Sequence, residues 1–169
     1  RYGGNTPCIE VRCGDEHLVI LDAGTGIRAL GKSLLQEEFG QGTGEAHILL
    51  SHTHHDHIYG LPYFDPLYVP GNRIHLYGPD RPDKPLKDLL ADWMSGPFHP
   101  APLHSLHASL DFGSLRAGDA MELDGLTIRA AAVNHTTLCN AYRIECDGTA
   151  IGYATDTGRF NGNVLLPPE

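Results

Sequence analysis

The sequence lacks the features of several protein classes. Among its 169 residues, no apolar run approaches the roughly 18 residues of a transmembrane helix. Its first residues carry no basic, apolar leader, so we expect no signal peptide and no membrane partner. Basic residues are few: 12 Lys and Arg stand against 21 Asp and Glu, a net charge of −9, which disfavours nucleic-acid backbones as partners. A small phosphorylated substrate remains compatible, because a bound metal can supply positive charge locally.

Cysteine is scarce, and no CxxC pair occurs. The four residues are Cys8, Cys13, Cys139 and Cys146. Cys8 and Cys13 lie an odd number of positions apart in one predicted strand, so they would face opposite sides of a sheet. We expect four reduced, mainly structural thiols in a cytoplasmic protein, and the alternative is a disulfide between the two distant pairs.

The apolar pattern predicts short strands and two helices within a chain that has the length of one domain. Such a mixture favours a layered sheet structure with helices outside. The predicted helices are Ile27–Phe39 and Lys84–Met94, and the predicted strands are Thr6–Arg12, His17–Leu21, Ala46–Leu50, Arg73–Tyr77, Ala108–Phe112, Leu126–Val133, Ala141–Cys146 and Thr149–Ala154.

Histidine is abundant, with 11 residues, and residues 51–57 read SHTHHDH. His52 and His54 follow an apolar strand and share one side of an extended segment, so both can face one metal ion. Asp56 and His57 are adjacent and would diverge, which suits a second centre nearby. Imidazole with carboxylate fits Zn, Mn, Fe or Co. The alternative is a solvated His-rich loop.

Three further polar residues each follow an apolar strand: Asp22, His135 and Asp156. If these strands share a sheet edge with the strand before His52, their ends converge where sites on layered sheets tend to lie. A lone histidine at a strand end is more often structural, but convergence of four such ends favours a metal site.

The motif H-x-H-x-D-H after an apolar strand resembles that of the metallo-β-lactamase superfamily. Tyr2–Cys8 (YGGNTPC), Ile20–Gly26 (ILDAGTG) and Tyr153–Thr157 (YATDT) are similar to one branch. That branch contains phosphoribosyl cyclic phosphodiesterase and cyclic-nucleotide phosphodiesterase-like hydrolases and is related to ribonuclease Z. The resemblance implies an α+β (αββα) fold, a β-sandwich flanked by helices. It also implies that residues 1–169 are a single domain, incomplete at both ends and in its second half.

The resemblance also implies roles for the candidate site residues around two divalent metal ions, Zn or Mn first and Fe as an alternative. The first ion matches His52, His54 and His135; the second matches Asp56 and His57; Asp156 bridges them; and Asp22 steadies the His loop. A turn carboxylate beside Gly24 and Gly26 is the alternative for Asp22. The family's final His ligand has no counterpart after Asp156. His55 is expected at the rim of the pocket, with the loop of residues 95–107 as one wall.

The implied reaction is hydrolysis by a metal-bridged hydroxide, with Asp56 as ligand and orienter of the nucleophile. A phosphodiesterase acting on a small cyclic phosphate or nucleotide is the function that we expect first. The alternatives are a ribonuclease Z-like RNA nuclease, a thioester or lactone hydrolase on the same site, and a metal-stabilised, non-enzymatic binding or sensory module. Homo-oligomerisation is left open.

Overall fold

The structure is a computed structural model that describes residues 3–14 and 17–158. Tyr2 of the first motif, the predicted turn residues Asp15 and Glu16, and residues 159–169 lie outside the described residues. The described elements are the strands β1 (Ile9–Cys13), β2 (His17–Leu21), β3 (Glu45–Leu49), β4 (Arg73–Pro79), β5 (Ser109–Leu115), β6 (Ala120–Leu123), β7 (Leu126–Ala132), β8 (Asn140–Cys146) and β9 (Thr149–Tyr153), and the helices α1 (Ile27–Leu34), α2 (His55–Ile58) and α3 (Leu86–Trp93).

The strands form two sheets. The first has the order β1-β2-β3-β4-β5, in which β1 is antiparallel to β2 and the strands from β2 to β5 are parallel. The second has the order β6-β7-β8-β9 and is antiparallel throughout. Parallel strands need crossover connections, and α1 and α3 lie in two of them.

The central strands β2 and β3 of the first sheet are buried on both faces after their first residues, in keeping with their largely apolar sequences. In β3, Ile48 lies in a core with Leu34 and Leu90 of the helices, whereas Leu49 lies in a second core with Ile128 of the other sheet. Successive side chains of a strand point to opposite faces, so β3 joins the two cores. The structure is therefore a β-sandwich whose first sheet carries helices on its outer face.

The predicted α+β class is confirmed. In residues 3–14 and 17–158, helices cover the outer face of the first sheet, and a second helical layer is not among the described elements.

Three local predictions differ from the structure. Helix α1 ends at Leu34 and not at Phe39, because an extended backbone at Glu37 breaks the helix and a short 3₁₀ turn then buries the Phe39 ring. Strand β6 (AMEL) was missed because it has four residues and only partial burial. Helix α2 was missed because four residues carry no periodic pattern.

The cysteine prediction is wrong for two residues. Cys13 at the end of β1 and Cys146 at the end of β8 form a disulfide, with a Cα–Cα distance of 6.1 Å. Both side chains belong to the core between the sheets, at the same end of the sandwich. Pairing across 133 residues depends on how the two sheets stack, which local patterns do not report. Cys8 and Cys139 are free, and Cys8 packs on the helical side, opposite Cys13, as predicted.

We expect two of the four thiols to react with a thiol reagent in the denatured, unreduced protein, and all four after reduction. Reduction should lower the free energy of unfolding by about 2–5 kcal/mol, because the bond closes a long loop in the unfolded chain. Cys8→Ser is the matched control, since it removes a free thiol. Four reactive thiols without reductant would contradict the pairing.

Candidate metal centre

The predicted site residues meet at one edge of the sandwich. Asp22 directly follows β2, and His52 and His54 follow β3, its parallel neighbour, in which Leu49 is level with Leu21. The ends of β7 and β9 bring His135 and Asp156 to the same edge. The expected convergence of strand ends is present in the structure.

The first ligand group contains His52, His54, His135 and Asp156. The Nδ1 atom of His54 lies 2.9 Å from Nε2 of His52 and 3.1 Å from Nε2 of His135. The Oδ2 atom of Asp156 lies 3.7 Å from Nε2 of His52 and 3.7 Å from Nε2 of His135. Ligand atoms around a tetrahedral zinc ion are separated by about 3.3 Å, given metal–nitrogen distances near 2.0–2.1 Å. These four side chains can therefore hold one divalent ion with little rearrangement.

The second ligand group contains Asp56, His57 and Asp156. The Nε2 atom of His57 lies 3.4 Å from a carboxylate oxygen of Asp56 and 3.3 Å from one of Asp156. The ring is fully buried, and this nitrogen has no hydrogen-bond partner among the described residues. A buried, unpartnered ring nitrogen that faces two carboxylates is suited to a divalent cation. Asp156 belongs to both groups, which is the arrangement expected of a bridging ligand.

The buried carboxylate of Asp22 orients this second group. It accepts hydrogen bonds from the backbone N–H of Ser51 at 2.6 Å, the Ser51 hydroxyl at 2.8 Å, Nδ1 of His57 at 2.7 Å and the Tyr153 hydroxyl at 2.7 Å. Because Nδ1 of His57 donates to Asp22, its Nε2 is left as the metal-facing atom. The N–H groups of Gly24 and Gly26 bind the carbonyls of Pro7 and Thr6. Asp22 thus contacts the His loop through Ser51 and His57, and its role in steadying that loop remains a prediction.

Backbone geometry also marks this edge. Asp22 has a φ of 61° and Asp156 a φ of 45°, in the left-handed region that only a few residue types adopt readily. The loop after β2 is fixed to α2, because Ala23 donates to the carbonyl of His57 and Gly60 donates to the carbonyl of Ala23. A Cβ on Gly24 would lie 2.5 Å from the carbonyl oxygen of Asp56, so glycine permits this close approach.

Burial and neighbouring charges shift the pKa values of His52 and His57 in opposite directions. Burial, reinforced by the neighbouring His57, His54 and His135 rings, lowers the pKa of His52 to about 4, so this ring is neutral near pH 7 and available as a ligand. Burial also lowers the pKa of His57, but the hydrogen bond and charge of Asp22, with the other carboxylates, outweigh it and raise the pKa overall. Metal binding at Nε2 of His57 would compete with protonation of that nitrogen.

Sequence reasoning missed three residues around the ligands. Ser51 and Tyr153 both bind Asp22, and the Cys139 sulfur lies 3.6 Å from Nδ1 of His52. Burial raises the pKa of Cys139 to about 12, so its thiol stays protonated beside the ring. Ser51 directly precedes the His motif and Tyr153 lies within YATDT, but neither position carries a pattern that predicts a hydrogen bond to Asp22.

An aromatic cleft of about 450 Å³ lies beside the centre. His55, which adjoins His54 and Asp56 in sequence, is exposed and lines this cleft, in keeping with a rim position. Phe98 and His99 place part of the 95–107 loop along it, whereas His104 and His107 are exposed and belong to neither ligand group. The other lining residues are Tyr59, Pro62, Tyr63, Trp93 and Met94.

The comparisons with known proteins agree with this fold. A family model described as a beta-lactamase superfamily domain matches residues 17–166, and the chain belongs to this family. The expected resemblance to the superfamily and to ribonuclease Z is confirmed. Membership implies divalent metal binding, and the two ligand groups supply suitable side chains.

Among curated relatives, ribonuclease Z of Synechococcus sp. (strain CC9311) is 28% identical over 124 residues, 72% of this chain and 37% of the relative. The chain thus spans about a third of that relative's length. Among solved structures, the metallo-beta-lactamase fold protein YhfI from Bacillus subtilis has a TM-score of 0.60 at 18% identity, covering 87% of this chain and 53% of its own. The short form of human tRNase Z has a TM-score of 0.57 at 17% identity, covering 93% and 66%. At this level of sequence identity, the two similarities show a shared fold.

Within the described residues, no helix combines the length and apolarity needed to cross a bilayer.

We expect Asp22→Asn to weaken Zn²⁺ binding at the group of Asp56, His57 and Asp156 by about 10–100-fold, because the amide no longer holds the His57 ring as a carboxylate does. Equilibrium dialysis with elemental analysis measures this, and Asp88→Asn, an exposed residue on α3, is the matched control. Equal Zn²⁺ affinities in the Asp22→Asn and parent proteins would contradict the role of Asp22.

Proposed function

We propose that this chain forms the metal centre of a hydrolase that cleaves phosphodiester bonds in a small cyclic phosphate or nucleotide. One observation supports this most strongly: two ligand groups of imidazoles and carboxylates that share Asp156. Paired metal sites of this kind are typical of phosphatases and nucleases, in which two ions act on one phosphoryl centre.

In this proposal each side chain has a defined role. His52, His54 and His135 hold the first ion, His57 and Asp56 hold the second, and Asp156 serves both. Two divalent ions, Zn²⁺ or Mn²⁺ with Fe as an alternative, match the mixture of imidazole and carboxylate ligands. When bound, the ions would supply Lewis-acid activation of water and neutralise charge on the phosphoryl oxygens.

Asp56 combines two features that suit a further role. Its carboxylate lies 3.4 Å from His57, yet 53% of its side chain is exposed, unlike the fully buried His57. It can therefore accept a hydrogen bond from a water molecule at the mouth of the site and hold that water for attack on phosphorus. It can also take up the proton that the water loses.

The aromatic cleft supports a nucleotide as the substrate. Tyr59 and Tyr63 expose about half of their surface, at 52% and 50%, and Phe98 exposes 78%. Stacking of a base on an aromatic side chain contributes about 1–3 kcal/mol. A base held in this cleft would place its phosphate toward the ligands that adjoin His55.

An RNA-processing nuclease is the second candidate, because the curated relatives carry the name ribonuclease Z. The net charge of −9 disfavours it, since binding a long RNA backbone needs a basic surface. Hydrolysis of a thioester or lactone would use the same ions on a carbonyl carbon, and a non-enzymatic, metal-stabilised module would bind the ions without turnover.

The cytoplasmic location and the open question of homo-oligomerisation also remain predictions. The Cys13–Cys146 disulfide argues against a strongly reducing compartment, because disulfides persist mainly where conditions are oxidising.

A substrate panel tests the proposed function. The protein loaded with Zn²⁺ or Mn²⁺ is assayed on a 2′,3′-cyclic nucleotide, an activated small phosphodiester, a thioester and a precursor tRNA. We expect turnover of the small phosphodiesters and none of the thioester. Cleavage of the tRNA alone would favour the second candidate, and a metal-loaded protein that turns over none of them would contradict both.

We expect Asp56→Asn to lower kcat on the best small phosphodiester by about 10²–10⁴-fold, because the amide cannot accept a proton from the attacking water. First-site metal content should stay at one equivalent, since Asp56 is outside the first ligand group. His104→Gln, on an exposed surface, is the control. Unchanged turnover in Asp56→Asn would show that Asp56 does not activate the nucleophile.

A further inference from the structure

A second group of titratable side chains lies at the opposite end of the same strands. The metal centre follows the carboxyl ends of β2 and β3, whereas Glu45 and His47 lie near the amino end of β3 and His75 near that of β4. His47 is level with His75 in the parallel ladder. We name these three residues the amino-end cluster.

The position of the cluster is unusual for polar residues. In β3, His47 shares a face with Leu49, which belongs to the core between the two sheets. The corresponding face of β4 carries His75 and then Tyr77, which packs on that core. At these places a sandwich normally buries apolar side chains.

The cluster faces a cleft of about 580 Å³ at this open end of the sandwich. Residues of the second sheet line its other side. The lining residues are His17, Glu45, His47, Arg73, His75, Tyr77, Glu122, Leu123 and Asp124.

The geometry of the cluster is that of a ligand set. The rings of His47 and His75 stack with centroids 4.7 Å apart and planes inclined by 14°. An oxygen of Glu45 lies 2.9 Å from Nε2 of His75, and one ligand atom from each of the three residues lies within 4.8 Å of the others. Ligand atoms of a tetrahedral zinc ion are about 3.3 Å apart. To reach that spacing, the Glu45 oxygen and Nε2 of His75 would separate by a few tenths of an ångström, and the other pairs of ligand atoms would approach each other by about 1.5 Å at most.

His47 lacks a partner for one of its nitrogens. The residue is 6% exposed and lines the cleft, and its Nδ1 atom has no hydrogen-bond partner among the described residues. Leaving a buried polar atom unpaired costs about 1–3 kcal/mol, so a fold that retains one here calls for an explanation. Burial, with the neighbouring His75, lowers the pKa of His47 to about 4, which keeps the ring in its neutral, ligating form.

His75 has the supporting contact of a metal ligand. Its Nδ1 atom lies 3.3 Å from a carboxylate oxygen of Asp111 on β5, which leaves Nε2 directed to the cluster. A histidine ligand that gives its other ring nitrogen to a carboxylate is the usual arrangement around zinc. Arg73 binds the second oxygen of Glu45, whereas the first oxygen contacts Nε2 of His75 at 2.9 Å, a contact that an ion between the two atoms would replace.

We propose that Glu45, His47 and His75 form a separate divalent metal site, of the type that binds Zn²⁺. Two imidazoles and one carboxylate are a ligand set that zinc uses, with a fourth position open to water or a further side chain. His17, whose Nε2 atom lies 3.2 Å from the Asp124 carbonyl oxygen, lines the same cleft. An ion here would crosslink β3 to β4 and stabilise the open end of the sandwich. This site does not depend on the proposed reaction.

Zinc stoichiometry tests the proposal. The parent protein and the variants His47→Gln, His75→Gln and Glu45→Gln are dialysed against the same free Zn²⁺ concentration and analysed for metal. We expect each variant to bind one equivalent less than the parent and to lose part of the Zn²⁺-dependent rise in Tm. His104→Gln should bind as much as the parent.

Circular dichroism without metal shows whether each variant is folded. If the buried His47→Gln protein does not fold, the more accessible His75→Gln and Glu45→Gln proteins decide the question. Equal stoichiometry in the parent and every folded variant of the cluster would overturn the proposal. An equal loss in His104→Gln would also overturn it, because the ion would then be bound by surface histidines in general.

Discussion

The buried carboxylate of Asp22 is the group around which the residues of the candidate metal centre are arranged. It joins the turn after β2 to Ser51 after β3, to His57 in α2 and to Tyr153 at the end of β9. These segments are distant in sequence and belong to both sheets. A buried charge is costly unless it is well hydrogen bonded, and here four donors compensate it. The same contacts therefore stabilise the edge of the sandwich and aim the His57 ring.

This arrangement explains why a four-residue helix is stable within the site. An isolated helix of that length does not persist in water. Helix α2 is held because its His57 side chain binds Asp22 and its backbone bonds to Ala23. Packing of Ile58 in the helical core adds to this. Order at this edge therefore comes from tertiary contacts.

The sequence predicted the convergence of the candidate ligands at one edge better than it predicted the elements that carry them. The spacing of His52 and His54 follows from extended backbone, and the positions of His135 and Asp156 follow from the ends of apolar strands, so local patterns sufficed for these. The contacts of Ser51 and Tyr153 with Asp22 could not be predicted, because they depend on how separate strands align. The Cys13–Cys146 disulfide was missed for the same reason, because its pairing depends on how the two sheets stack.

The two ends of the parallel strands differ in their chemistry. At the carboxyl ends, imidazoles and carboxylates converge from both sheets, as is usual for sites on layered sheets. At the amino ends, the amino-end cluster interrupts the core between the sheets with three polar side chains. At both ends, neighbouring parallel strands are aligned in register, and this alignment places side chains of separate segments side by side.

In the proposed function, Asp156 joins the two ligand groups into one paired metal centre. X-ray absorption spectroscopy of the protein loaded with Mn²⁺, together with electron paramagnetic resonance, tests this most directly. We expect a metal–metal distance of about 3.5–4 Å and a spin-coupled pair, both lost in Asp156→Ala. Isolated Mn²⁺ signals without a metal–metal distance, at full occupancy of both groups, would contradict it.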